Sequence, residues 1–471
     1  MAVARRHGGP TQGWSTGLAR FGLCFVLLPN LPFWLFAAHE GISVPGWINL
    51  DGVLLGLVAL WLRPAWVVGL LAVDFLLDVM FAIRATFGTS YLDLLLSTRY
   101  WLSAIAPAQL VEAVALVVGS LAVIGAVWLV AAPRLRGKAR VAVALTVLLV
   151  LVPWRWTARR ERAANDPGWA LASARSPALA FYHAWGPEHM AAYLRGTAMP
   201  ALAPTHSASD VALPQLEGRD FVLVLVESWG EAREEALRQA LAAPFAAAAI
   251  AARYRVQQGL VGFAGNTAPG ELRELCDRAL PPATPNALAL GNLGGCLPWT
   301  LRRRGYRTLA VDSAASFWPT GEGWYQRIGF ERVLGYPELR ALGAREFDAG
   351  PFRALADGEV AARLPRLLDG GARAEFVFLL TASAHLPIHL PLPAGYDADC
   401  SHFETLGDSA QACGWYRVES RTLASVAAAA AAPPARPAVW LIVGDHAPPF
   451  ADAARARFSA TEVPFALLVP R

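Results

Sequence analysis

Hydrophobic positions fall into two regimes along the chain. Up to residue 156 they form long runs, at 19–38, 46–62, 65–83, 108–132 and 139–156. Runs of that length with few charges predict membrane-spanning helices, about five in all. The second run is short, and Pro29, Asn30 and Pro32 interrupt the first. Beyond residue 215 the apolar runs shrink to strand length: Phe221–Val226, Arg307–Val311, Glu375–Leu380, Ala438–Val443 and Val463–Val469. Phe221–Val226 shows no polar alternation, the pattern of a strand buried on both faces. Helix-length segments between the runs predict βαβ units. The fold class that follows is an N-terminal helical membrane region plus an α/β domain with a mainly parallel sheet.

Three regions result: a transmembrane domain over 1–156, a partly helical connector over 157–215, and a soluble domain over 216–471. The connector predicts helix around Pro177 to Arg195, and the alanine-rich tracts 246–252 and 427–432 read as helices. Segment 84–107 reads either as an amphipathic helix on the membrane surface or as a loop between spans. The basic stretch 134–140 (RLRGKAR), with Arg5, Arg6 and Arg20, sets both on the cytoplasmic side. An odd number of spans then sends the rest of the chain outside the cell. Arg155, Arg159, Arg160 and Arg162 pull the other way, so the charge bias is slight.

Composition adds two exclusions. Hydrophobic residues are 55% of the 471 and charged ones 17%, with the excess confined to the first third, so it reports spans and not a larger core. A net charge of +4 without a long basic tract gives no sign of nucleic-acid binding. Of five cysteines, Cys276, Cys296, Cys400 and Cys413 lie in the soluble part as two locally spaced pairs. In an oxidising compartment these close two loops, 276 with 296 and 400 with 413; in a cytosolic domain they are four buried thiols.

The candidate chemistry sits just past the strands. Glu227, Asp312, the set Thr381–His385 and Gly444-Asp445-His446 each follow a predicted strand and each include a metal ligand or proton carrier. Parallel strands bring such ends to one sheet edge, where ligands gather in open α/β folds. Thr267, followed by Pro269, opens a helical stretch that continues from Glu271 to Leu280. A hydroxyl at a helix N-terminus meets free N–H groups and the positive end of the dipole, a setting suited to phosphate. With Glu227, Asp445 and His446 holding one divalent cation beside it, Thr267 could lose its proton and attack phosphorus. Carboxylates, an imidazole and a hydroxyl suit Zn²⁺ or Mn²⁺ alike.

These residues in this order resemble the alkaline-phosphatase/sulfatase superfamily: Val226-Glu-Ser228, Thr267 opening a helix, Phe317-Trp318, a later His385, then Gly444-Asp-His446. Within it the chain is most similar to membrane-anchored lipoteichoic acid synthases and phosphoethanolamine transferases. The resemblance implies Glu227, Thr267, Asp445 and His446 as metal ligands and Thr267 as the nucleophile. It implies His385 as the histidine that handles substrate or leaving group, with His389 as a rival, and Trp318 as an aromatic of the headgroup pocket. Asp312 is a further candidate for substrate contact. The stretch Ala243-Pro-Phe245 resembles the segment that follows the first strand in the family.

Departures narrow the expectation. The sulfatase pattern Cys-x-Pro-x-Arg reads here Thr267-Ala-Pro269-Gly-Glu271, which disfavours sulfate-ester hydrolysis. A single Glu at the first strand end points to one metal and not two. Trp318 is followed by Pro319 and Thr320, so no phosphoglycerol-specific arginine is present there. None of the predicted strands is followed by a Gly-x-Ser-x-Gly elbow, which disfavours a serine hydrolase. The expected activity is transfer of a phosphoethanolamine or phosphoglycerol headgroup from a membrane phospholipid to an envelope glycan or lipid. The expected location is the inner membrane, multi-pass, with the catalytic domain on the periplasmic side. The alternatives are a membrane-bound hydrolase of the same superfamily and a catalytically silent subunit of an envelope complex.

Overall fold

The computed structural model describes residues 14–40, 48–87, 107–131, 138–149, 174–184, 203–279, 295–315, 323–368, 371–404, 406–407, 409–433, 436–450 and 453–471. The chain divides into two compact units, Met1–Ala85 with Val111–His183, and Thr86–Leu110 with Ala184–Arg471.

The first unit is helical. Trp14–Gly22 continues through a π turn, Leu23–Leu27, into Leu28–Glu40, and further helices run over Leu50–Ala59, Pro64–Phe87, Pro107–Ala131 and 138–149. Every predicted apolar run therefore carries a helix, but the expectation of about five spans is corrected. Among the described residues two helices, Trp14–Phe36 and Ala65–Ile83, are long and apolar enough to cross a membrane. The run predicted over 46–62 is broken by its own polar start: Asn49 caps the helix at Asp51 and Gly52, leaving 10 residues. At 1.5 Å per residue that is about half a hydrocarbon core. Segment 84–107 lies largely outside the described residues.

A polar knot hides inside this unit. Arg175, far along the chain, sends Nε to Asp78 Oδ1 at 2.6 Å, and Asn49 Nδ2 donates to both Asp74 (3.1 Å) and Asp78 (3.2 Å). All four side chains are buried, and the two-residue strands Ile48–Asn49 and Ala174–Arg175 pair in parallel beside them. A buried charge persists only when paired, so this knot pins the chain at Arg175 to the helices.

The second unit is built on a seven-stranded sheet. Its strands in chain order are β1 (Asp220–Val226), β2 (Tyr254–Gly262), β3 (Arg307–Asp312), β4 (Arg332–Leu334), β5 (Glu375–Leu380), β6 (Ala438–Gly444) and β7 (Glu462–Pro470), in the spatial order β2-β7-β6-β1-β5-β3-β4. The central strands are parallel: β1 pairs with β6 and β5, and β3 with β5 and β4. β7 runs antiparallel to both β6 and β2, so the sheet is mixed and not mainly parallel. The reason is the connection. A parallel return needs a crossover helix, whereas only a short 3-10 turn, Ala453–Arg457, lies between β6 and β7 among the described residues. β2 carries several exposed polar residues, and no apolar run announces this edge strand.

β1 is buried along all seven residues. Phe221, Leu223 and Leu225 face one core, and Val222, Val224 and Val226 face the other. One core holds helices α1 (Glu235–Ala246) and α3 (Ala410–Ala431); the other holds α2 (Thr267–Cys276). The register places Val226 opposite Gly444, Leu225 opposite Leu380, and Leu380 opposite Asp312. The residues that follow each strand therefore emerge at one edge.

Two disulfides join Cys276 to Cys296 and Cys400 to Cys413, the pairing expected for an oxidising compartment, and Cys24 is free. The first anchors the end of α2 across a separation of 20 residues. Chain-entropy arithmetic for a loop of that size gives about 3 kcal/mol. The double change Cys276→Ser with Cys296→Ser is expected to lower the unfolding midpoint accordingly in chemical denaturation; an unchanged midpoint contradicts this.

Candidate active site

Three strand ends and one helix start converge. Glu227 follows β1, and its backbone N–H donates to Thr381 Oγ1 (2.8 Å) just past β5. Asp445 and His446 follow β6. One ligand atom from each of Glu227, Asp445 and His446 lies within 4.8 Å of the others, and all three residues are buried. Thr267 is the first residue of α2, after Asn266 as N-cap. Its hydroxyl is not spent on capping: Oγ1 donates to Glu227 Oε2 at 3.0 Å and lies 3.5 Å from His446 Nε2. The four residues singled out in the sequence for metal binding thus sit together.

Small local devices hold them. Gly444 has no room for a side chain, because the carbonyl oxygen of Trp229 passes 2.0 Å from where a Cβ would stand. Ser228 adopts φ 62°, a left-handed conformation uncommon for a residue with a side chain. That turn aims its N–H at Asp445 Oδ1 (2.8 Å) and its hydroxyl at Glu227 Oε1 (2.8 Å), so one residue orients two carboxylates. Backbone strain of this kind persists where a site requires it. In the sequence Ser228 belongs to the Val226-Glu-Ser228 motif, but nothing there shows that it orients both carboxylates.

The electrostatics call for a cation. His446 Nδ1 faces the carbonyl of Ala447 at 2.9 Å, a contact it makes as donor, so in the neutral ring Nε2 bears the lone pair. That nitrogen points at Asp445 Oδ2 (3.3 Å) and Glu227 Oε1 (3.5 Å). Three acceptors confront one another, and Asp445 Oδ2 is buried with no hydrogen bond. Burial, then the neighbouring Glu227 carboxylate, pushes the Asp445 carboxyl up to about 7. For His446 burial opposes the charged ring, but Asp445 and Glu227 outweigh it and raise its pKa. Only a proton or a cation relieves such a cluster. The orphaned oxygen and the mixed O/N donors fit a divalent ion held by Glu227, Asp445, His446 and Thr267.

The other predicted residues are placed differently. His385 is half-buried on the turn after β5, its ring edge-on to Phe352 with centroids 4.9 Å apart. Nδ1 lies 2.8 Å from the Leu386 carbonyl, and burial lowers the pKa to about 4, so the imidazole is neutral at pH 7. His389 donates its backbone N–H to Ala349 at 2.7 Å, and its ring is not one of the three clustered ligands. Asp312 turns inward: its carboxylate accepts from Ala314 N–H at 2.9 Å, and burial raises it to about 7. Tyr325 bonds Glu271 at 2.8 Å on the same side. Glu271 itself, at the position of the sulfatase arginine, is fully buried, and burial pushes its carboxyl to about 8, so it is neutral at pH 7. Trp318 lies outside the described residues. A support that sequence reading missed is buried Asp357, which accepts from Ser313 Oγ (2.8 Å) and from the N–H groups of Ala382 (3.0 Å) and Ser383 (2.7 Å). It ties the His385 turn to the end of β3.

Two outcomes are expected. The protein binds one equivalent of Mn²⁺ or Zn²⁺, and Glu227→Gln or His446→Ala weakens binding at least tenfold in a titration; equal binding by either variant contradicts the assignment. For His385 the sign is that of a depressed imidazole. The unfolded chain takes the proton first, so stability falls as pH drops from about 6.5 towards 4. His385→Gln is expected to flatten that part of the stability profile, measured as midpoint against pH; a parallel profile contradicts it.

No protein-family model matches the chain, and no curated protein matches its sequence. Its structure is similar to solved ones. The integral membrane protein lipooligosaccharide phosphoethanolamine transferase A (EptA) from Neisseria meningitidis aligns over 98% of this chain and 89% of its own, with TM-score 0.50 at 13% identity. A protein in the alkaline phosphatase superfamily from Vibrio parahaemolyticus aligns over 58% of this chain and 64% of its own (TM-score 0.41, 14% identity). The C-terminal periplasmic domain of EcEptC from Escherichia coli, in complex with Zn, aligns over 58% and 78% (TM-score 0.37, 16% identity). At such identities the likeness speaks to fold alone, and the match along nearly the full length of EptA carries it. The fold of this chain is similar to that of this integral membrane lipooligosaccharide phosphoethanolamine transferase.

Proposed function

We propose that the chain is a membrane-anchored, metal-dependent phosphotransferase. It moves a phosphoethanolamine or phosphoglycerol headgroup from a phospholipid to an envelope glycan or lipid through a phospho-threonine intermediate on Thr267. The observation that carries this reading is the placement of the Thr267 hydroxyl at a helix N-terminus, 3.0 Å from Glu227 and 3.5 Å from His446 Nε2. Asn266 takes the N-cap position, and the Thr267 oxygen, one residue on, faces the ligand cluster.

Each half-reaction moves one proton from the attacking hydroxyl to the leaving oxygen. In the first, Thr267 Oγ1 forms a bond to phosphorus while the bond to the diacylglycerol oxygen breaks, and that oxygen leaves with a proton. In the second, the acceptor hydroxyl attacks phosphorus, and Thr267 recovers its proton as the phosphoryl group departs. A bound divalent ion supplies charge neutralisation for the phosphoryl oxygens and acidifies the threonine hydroxyl. The start of α2 adds free N–H groups and the positive end of its dipole. His385 is proposed as the relay. A neutral ring whose Nδ1 is committed to Leu386 can take a proton at Nε2, and a pKa of about 4 makes it hold that proton only in passing. Trp318 is proposed to line the headgroup pocket.

The helices within 1–156 are proposed to hold this site at the plane of lipid headgroups, with the domain over 216–471 outside the cytoplasm. The two disulfides support that side, since such bonds persist in oxidising compartments. The region over 157–215 is proposed as the connector.

The test is intact-protein and peptide mass spectrometry after incubation with phospholipid vesicles and Mn²⁺. An added phosphoethanolamine or phosphoglycerol on Thr267, absent in Thr267→Ala, is expected. Thr267→Ala is expected to lower transfer by at least 10³-fold, whereas Thr267→Ser retains measurable activity. An unmodified wild-type protein, or full activity in Thr267→Ala, sinks the proposal.

A further inference from the structure

Arg273 sits on α2, six residues beyond Thr267, and is 3% exposed. A buried guanidinium needs acceptors for five N–H groups. Its obvious partner is Glu274, which receives Nε at 2.6 Å. Yet that carboxylate is already engaged, accepting the backbone N–H of Ser209 at 3.0 Å and its hydroxyl at 2.9 Å. The outer nitrogens go elsewhere. Nη2 donates to the carbonyl of Gly444 at 2.6 Å, and Nη1 to that of Asp445 at 3.1 Å. Nη1 also reaches the Gly262 carbonyl at 3.5 Å. The fork therefore clasps the main chain at the point where β6 ends and the ligand pair Asp445-His446 begins.

A second contact on the same helix works along the same line. Gly270 packs so closely on Asp445 that a Cβ there would stand 2.8 Å from the Asp445 Cβ and 3.0 Å from its Cα. α2 is thus fixed to the ligand turn at two heights, while its first residue carries the hydroxyl.

We infer that Arg273 is a positioning residue for the metal centre. It sets the spacing between the helix that presents Thr267 and the turn that presents Asp445 and His446. The inference rests on the metal-dependent reading above and names a residue that touches neither metal nor substrate. The fork geometry matters as much as the charge, because a lysine ammonium cannot span two successive carbonyls in one plane. Groups that orient metal ligands from behind typically change metal affinity 10–100-fold when removed.

The test uses the full chain in detergent micelles, titrated with Mn²⁺ and followed by electron paramagnetic resonance, for wild type, Arg273→Gln and Arg273→Lys. Both variants are expected to bind Mn²⁺ at least tenfold more weakly and to give an altered spectrum of the bound ion. Circular dichroism checks folding, and Arg273→Lys, which keeps the charge, decides the matter if Arg273→Gln fails to fold. A folded variant that binds Mn²⁺ within twofold of wild type overturns the inference, as does a lower unfolding midpoint with unchanged affinity. Wild type that binds no Mn²⁺ overturns the metal reading itself, and the inference with it.

Discussion

Two carboxylates buried against an imidazole lone pair form the constraint on which the rest of the second unit depends. Glu227, Asp445 and His446 present their acceptors to one small space at the sheet edge. Left alone, that arrangement works against folding, since buried like charges raise one another's pKa and seek a proton. The chain nevertheless invests several supports in it. Ser228 takes a left-handed turn to hold both carboxylates, Thr381 fixes the backbone of Glu227, and Gly444 gives up a side chain so that the strand end can pass Trp229. Structures that spend stability in this way do so at sites where a ligand returns it.

The sheet explains why these residues can meet at all. Parallel pairing of β6 with β1 and of β1 with β5 aligns their carboxyl ends, so residues 218 positions apart, Glu227 and Asp445, become neighbours. Helix α2 then brings Thr267 to the same edge from the other core. The order of its contacts is instructive: the hydroxyl at its first residue faces the cluster, Gly270 packs on Asp445, and Arg273 clasps the carbonyls behind it. The disulfide at Cys276 anchors its far end. Reactivity in such a site comes from fixed geometry more than from any single group, which is the general expectation for electrostatic preorganisation.

Much of this was legible in the sequence, and the reasons are physical. Unbroken apolar strands ending in Glu227 and Asp445-His446 signal the sheet edge directly, because burial on both faces leaves no other place for a carboxylate. Thr267 before a helix, with Pro269 in its first turn, signals an N-terminus. The two cysteine pairs are local enough to be read from spacing. What escaped depends on contacts distant in sequence. Arg273 looks like a solvated helix residue until the helix is packed against β6, and Asp357 looks like a loop acid until the ends of β3 and β5 close around it. The antiparallel β7 was hidden because an apolar run has no direction. In the helical unit, Asp74 and Asp78 sat within an apolar run and Asn49 close by, and only the three-dimensional placement of Arg175 reveals what they pair with.

The central claim is that a divalent cation belongs between Glu227, Asp445, His446 and the Thr267 oxygen. X-ray absorption at the metal edge of the Zn²⁺-loaded protein tests it most directly. One imidazole nitrogen at about 2.0–2.1 Å, oxygens at about 2.0–2.2 Å, no sulfur, and loss of the imidazole signature in His446→Ala are expected. A spectrum of a hydrated ion with oxygen alone, or one that keeps its histidine in that variant, would contradict it.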